Sequence, residues 1–331
     1  MTEFPENLLG SASSPEGARS GRRQRLVIVT AGAMAAATLL GAAGSLVFLE
    51  RDPMFNDDKA ITSFLTSPPA TLTVPTDVNM PQEHGGHALR PTDLPVVIAK
   101  DALRFPLSGF MIPLPPDRTH GVAAKYKQSG TSNDLYIQPL GQVLTWAFDK
   151  VTEAAPVKGV DPGHTGLILL ADGDTPYRLI VEVAYTAGRA GWSRLSLAAR
   201  DGQQVTGFDV GDLNVPSRHE VPRKQVLGLT LTLTSGGIAM KAAGGNMAPG
   251  CEEVGGGIAI GKLGDDYDYA ALRKCATRLH DSSPDYAGET TVTIAANPNV
   301  PLQAVVNAAQ AVSKTQEGAD LLPDLRLGVV R

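Results

Sequence analysis

Aromatic residues make up only 5% of this 331-residue chain, so its cores must rest mainly on Val, Leu, Ile and Ala. Basic charge is not in excess: the net charge is -5 and the pI is near 5.7. Nucleic-acid binders usually show a basic domain or stripe, so that class is excluded and no nucleic-acid partner is expected. There are two cysteines, Cys251 and Cys275, with no CxxC pair or Cys/His cluster around them, which argues against a zinc site. GxSxG, HExxH and SxxK arrangements are all missing. What is present suffices for folding: 43% of residues are hydrophobic and 19% charged, with room for about two ordinary domains.

Two partial motifs fall short of chemistry. Gly256-Gly257-Ile258-Ala259-Ile260-Gly261-Lys262 approaches a phosphate-binding loop, but Leu263 stands where the Mg²⁺-holding hydroxyl belongs. His84-Gly85-Gly86-His87 pairs two imidazoles in a proline-rich stretch without two further metal ligands, so it reads as solvated chain. No catalytic residue, cofactor or metal ligand is assigned, and the chain is not expected to be an enzyme.

Leu26 to Leu49 is an uncharged run of 24 residues. As a helix it reaches about 36 Å, enough for a hydrocarbon core of about 30 Å. Arg22, Arg23 and Arg25 precede it, and Glu50, Asp52, Asp57 and Asp58 follow. The positive-inside rule then leaves residues 1–25 as a disordered cytoplasmic tail and sends the rest across the membrane. A cleaved signal peptide is the alternative, with small residues at Ala42–Ser45, but the apolar run is longer than signal cores usually are. Export makes a Cys251–Cys275 disulfide the natural expectation, against two unconnected buried thiols. Residues 50–93 carry Pro53, Pro68, Pro69, Pro75, Pro81 and Pro91 and read as an extended linker with a short helix at Asp57–Leu65.

The remainder contains an internal repeat. Leu167–Val183 (LILLADGDTPYRLIVEV) aligns with Val292–Ala308 (VTIAANPNVPLQAVVNA), so that Ala171 meets Ala296, Pro176 meets Pro301 and Val181 meets Val306. Each copy is an apolar strand, a polar turn and a proline that opens a helix, where its missing N–H costs nothing. Thr175 suits the N-cap before Pro176. Asp172 and Asp174 are turn-forming residues rather than a catalytic carboxylate pair. Upstream, Pro95–Ala99 with Leu103–Phe105, and Leu227–Leu233 with Ile238–Lys241, read as hairpins. In the second, leucine and threonine alternate from Leu229 to Thr234, as a half-buried strand requires. Amphipathic helices are expected at about Leu140–Ala154 and at Tyr267–Leu279, the latter with Asp265 or Asp266 as N-cap. Last strands follow at Arg194–Ala199 and Arg326–Val330. Each half therefore reads β-β-α-β-α-β, a two-layer α+β unit, at residues 94–200 and 226–331. Residues 201–225 read as a linker, and Leu107–Asn133 as an insertion in the first half.

This order resembles the periplasmic domain of the ExbD/TolR biopolymer-transport family, whose apolar strand runs into an Ala-Asp-x-x-Val-Pro-Tyr turn, a Val-rich helix and a short last strand. Here Ala171-Asp172-Gly173-Asp174-Thr175-Pro176-Tyr177 fits with Thr for Val. Ala296-Asn297-Pro298-Asn299-Val300-Pro301-Leu302 fits with Asn for Asp and Leu for Tyr. The resemblance covers both halves and the N-terminal anchor. It implies a single-pass protein of a bacterial inner membrane whose two tandem domains lie in the periplasm. Such a protein works by binding and force transfer within a proton-motive complex. The partners implied are an ExbB/TolQ-like polytopic membrane subunit, a second copy of the chain, and peptidoglycan or another envelope component. The chain departs from the family in having two such domains and in lacking Asp or Glu between Leu26 and Leu49. Family members usually carry a coupling Asp there, and membrane carboxylates are normally functional. A structural adaptor or peptidoglycan-binding relative without proton coupling is thus the alternative function.

Overall fold

The computed structural model describes residues 58–67, 72–84, 86–158, 165–211, 213 and 227–329. Among them no helix is long and apolar enough to cross a membrane. The expected single-pass, inner-membrane architecture is therefore not supported, and Leu26–Leu49 lies outside the described residues.

The chain runs through α1 (Asp58–Thr66), β1 (His87–Ala88), β2 (Leu94–Ile98), β3 (Ala102–Phe105), β4 (Phe110–Pro113), α2 (Gln138–Lys158), β5 (Leu167–Ala171), α3 (Tyr177–Arg189), β6 (Leu195–Asp201) and β7 (Gln204–Val210). The second half follows as β8 (Thr230–Thr234), β9 (Gly237–Ala242), β10 (Gly245–Asn246), β11 (Lys262–Leu263), β12 (Asp266–Tyr267), α4 (Tyr269–His280), β13 (Thr291–Ala296), α5 (Leu302–Ser313) and β14 (Asp324–Leu327).

Two separate tandem domains are not what forms. Twelve strands make one mixed sheet in the order β10-β9-β8-β13-β14-β7-β6-β5-β2-β3-β4, with β1 paired to β7. Within it the halves share a strand order: β3-β2-β5-β6 in the first and β9-β8-β13-β14 in the second. In each half the three strands after the hairpin partner are parallel to one another. The β6–β7 hairpin reverses direction, and β7 then meets β14 in parallel, so the two parallel sets run opposite ways. The seam between them is thin: Val210 faces Leu325, and Gly211 N–H donates to Leu325 O at 2.9 Å. The stretch expected to be a linker at 201–225 thus supplies the joining strand, while residues 214–226 lie outside the described residues.

One face of the sheet carries the helices. Val96, Ile98, Leu167, Leu169, Leu195 and Leu197 from the first half share one core with Leu229, Leu231, Leu233, Val292 and Ile294 from the second. Ile180 and Val183 on α3, and Val305 and Ala308 on α5, are fully buried in it.

The rear face differs between halves. In the first, Val97, Ala99, Ile168, Leu170 and Ala198 pack under Val78 and Met80. The stretch expected to be a spacer is here a strap over the sheet. In the second, the rear positions of β8 and β13 are Thr230, Thr232, Thr234, Thr291 and Thr293, each half-buried, and Ala295, which is buried. Threonine keeps the β-branched shape that strands favour and still offers a hydroxyl to water. The side chains beneath the strap are apolar, and the strap removes them from water.

Candidate functional site

The two repeat turns meet at a pseudo-two-fold axis. Pro176 and Pro301 face each other in an antiparallel bridge. Tyr177 N–H donates to Val300 O at 2.8 Å, and Leu302 N–H donates to Thr175 O at 2.8 Å. Arg178 N–H donates to Pro298 O at 3.1 Å, and Gln303 N–H donates to Gly173 O at 2.8 Å. These are two reciprocal pairs, with each residue's partner exchanged by the repeat. They use the first N–H groups of α3 and α5, which no helix can satisfy internally. Thr175 does not cap α3; Pro176 stands at the cap with no side-chain hydrogen bond, and the Thr175 hydroxyl is buried without a partner. On α4 the cap is Asp268, further along the chain than Asp265 and Asp266, which the sequence suggested.

Of the residues singled out from the sequence, Asp172, Pro176, Tyr177, Asn297 and Pro301 gather at this axis. Asp172 is buried and accepts the Asn79 N–H at 2.6 Å, pinning the strap to the turn. Arg118 from the insertion faces it at 3.9 Å and reaches Asp174 at 3.2 Å. Asn297 accepts the Val300 N–H with its main-chain carbonyl, shaping its own turn. The Tyr177 hydroxyl lies 2.8 Å from Ile294 O and 2.7 Å from Gly328 O, tying α3 of one half to β13 and the tail of the other. Burial pushes its phenol well above the ordinary range.

Each axial helix also holds a foreign segment. On α5, Gln303 binds both main-chain groups of Gln82, and Gln310 donates to His84 O at 2.5 Å. On α3, the equivalent of Gln303 is Arg178, which donates to Ser132 O at 2.6 Å and Asp134 O at 3.1 Å. Glu182 lies one turn on, fully buried, and takes Lys127 at 2.5 Å, Arg178 at 2.7 Å and the Val122 N–H at 2.9 Å. Burial lowers the Lys127 ammonium, and the Glu182 carboxylate opposes that shift. Thr186 accepts the Ile137 N–H at 3.0 Å. The insertion is thus fastened to α3 as the strap is fastened to α5. Glu182, Arg118 and Gln303 were not singled out from the sequence. Glu182 alone left a sign, as a carboxylate inside the apolar stretch Leu179–Val183.

The strap has a second set of fastenings. Glu83 is buried against the Thr206 hydroxyl and the Gly86 N–H. His84 pairs with Asp201 at 3.1 Å and His87 with Asp209 at 3.3 Å. The two imidazoles engage separate aspartates while staying open to solvent, His84 most of all. The Asp209 hydrogen bond raises His87 above its ordinary pKa, against the opposing effect of burial. Burial acts to raise Asp209, but the hydrogen bonds from His87 and Ser196 outweigh it and hold that carboxyl low.

Cys251 and Cys275 are joined in a disulfide, with Cα atoms 6.0 Å apart, linking the Gly-rich loop to α4. That loop leads into β11, and the next helix does not begin until Tyr269, so the strand–loop–helix frame of a phosphate-binding loop is not formed. Among the described residues no group of three His, Cys, Asp or Glu side chains is placed to hold a metal. Comparison with known proteins finds no match: no family model, curated protein or solved structure is significantly similar to this chain.

Proposed function

We propose that this protein is a binding and load-bearing module in which two repeats act as one body. The observation that carries the reading is the pair of reciprocal main-chain contacts at Pro176 and Pro301. Together with the β7–β14 seam they make a path of hydrogen bonds from one half to the other. Buried groups such as Asp172 and Glu182 are spent on fastening segments, and each faces a cation. That use suits mechanical and recognition work better than bond chemistry. The turn motifs lead us to an ExbD/TolR-like role, binding a partner and passing force to it. The partner to seek is an ExbB/TolQ-like polytopic subunit. The alternative is a relative that binds and bears load without proton coupling.

Affinity purification of the full chain under gentle conditions tests this. Recovery of an ExbB/TolQ-like protein supports the full role, and recovery of envelope components alone supports the adaptor. Recovery of neither, together with a turnover activity traced to the purified chain, would overturn both.

A further inference from the structure

We draw no further inference here: the strongest candidate, the half-buried threonine face of Thr230, Thr232, Thr291 and Thr293 on the rear of the second half, is a sheet face for which nothing among the described residues shows what covers it.

Discussion

Gln303 grips Gln82 by both main-chain groups: its Oε1 accepts the Gln82 N–H at 2.8 Å, and its Nε2 donates to the Gln82 carbonyl at 2.8 Å. An amide side chain placed this way treats the strap as an added strand. Gln303→Ala removes both bonds and should destabilise the fold by about 1–2 kcal/mol. Hydrogen exchange should rise first at residues 79–84, ahead of the sheet. Uniform loss of protection across the molecule would show that the strap is not a separate unit.

Glu182 is the buried anion that faces two cations, Lys127 fully buried and Arg178 partly exposed. Removing the carboxylate leaves the buried Lys127 ammonium without its counter-ion, so Glu182→Ala should cost about 3–5 kcal/mol in urea unfolding. Proteolysis should reach the segment around Val122–Ile137. A double change, Glu182→Leu with Lys127→Met, should recover part of the loss, because an apolar pair of similar volume replaces the ions. If the double variant is no better than the single one, packing rather than charge is the cause.

The strap should loosen as pH rises. His87 has its pKa raised in the folded state, chiefly by the hydrogen bond to Asp209, with Glu83 adding to the effect and Arg90 opposing it. Its contribution is fully present below the ordinary imidazole value of about 6.5 and is lost as pH climbs through the raised folded value. Exchange protection of residues 86–89 should therefore fall as pH rises above the ordinary imidazole value of about 6.5. His87→Gln should flatten that dependence, and an unchanged slope in the variant would assign it to another group.

The Cys251–Cys275 link closes a loop with a sequence separation of 24. In the chain-entropy model such closure stabilises by about 3 kcal/mol. Thiol titration of denatured, unreduced protein should find no free thiol, and reductant should lower the melting temperature. Two titratable thiols would contradict the link.

The alternation of leucine and threonine in β8 is visible in the sequence because a half-buried strand must alternate, whatever lies beyond it. The proline-opened helices α3 and α5 show for a similarly local reason. The joining of the halves does not show. It runs through main-chain groups of two turns, and such contacts leave no mark on side-chain pattern. Strand β7 is concealed by Gly207, where a Cβ would lie 2.6 Å from the Leu89 side chain and 2.7 Å from Leu197 O. A glycine that makes room for the strap looks, in sequence alone, like a linker residue. The strap itself is hidden by its prolines. Its buried Val78 and Met80 are too widely separated from the β-residues they cover for any local pattern to connect them. At the site, Asp172 and Tyr177 stand in a recognisable motif, whereas Arg118 and Lys127 come from an insertion whose docking only the tertiary structure reveals.

The rear faces of the two halves record what joining repeats in one chain permits. A symmetric pair of identical chains carries every substitution twice, so a residue that suits one copy is imposed on the other. Encoded in tandem, each copy varies alone. Val97 and Ile168 lie beneath the strap while Thr232 and Thr293 occupy the matching places in the other half. No homodimer of one repeat offers that division of labour, in which one copy's surface is committed to a lid while its twin's is left free to diverge.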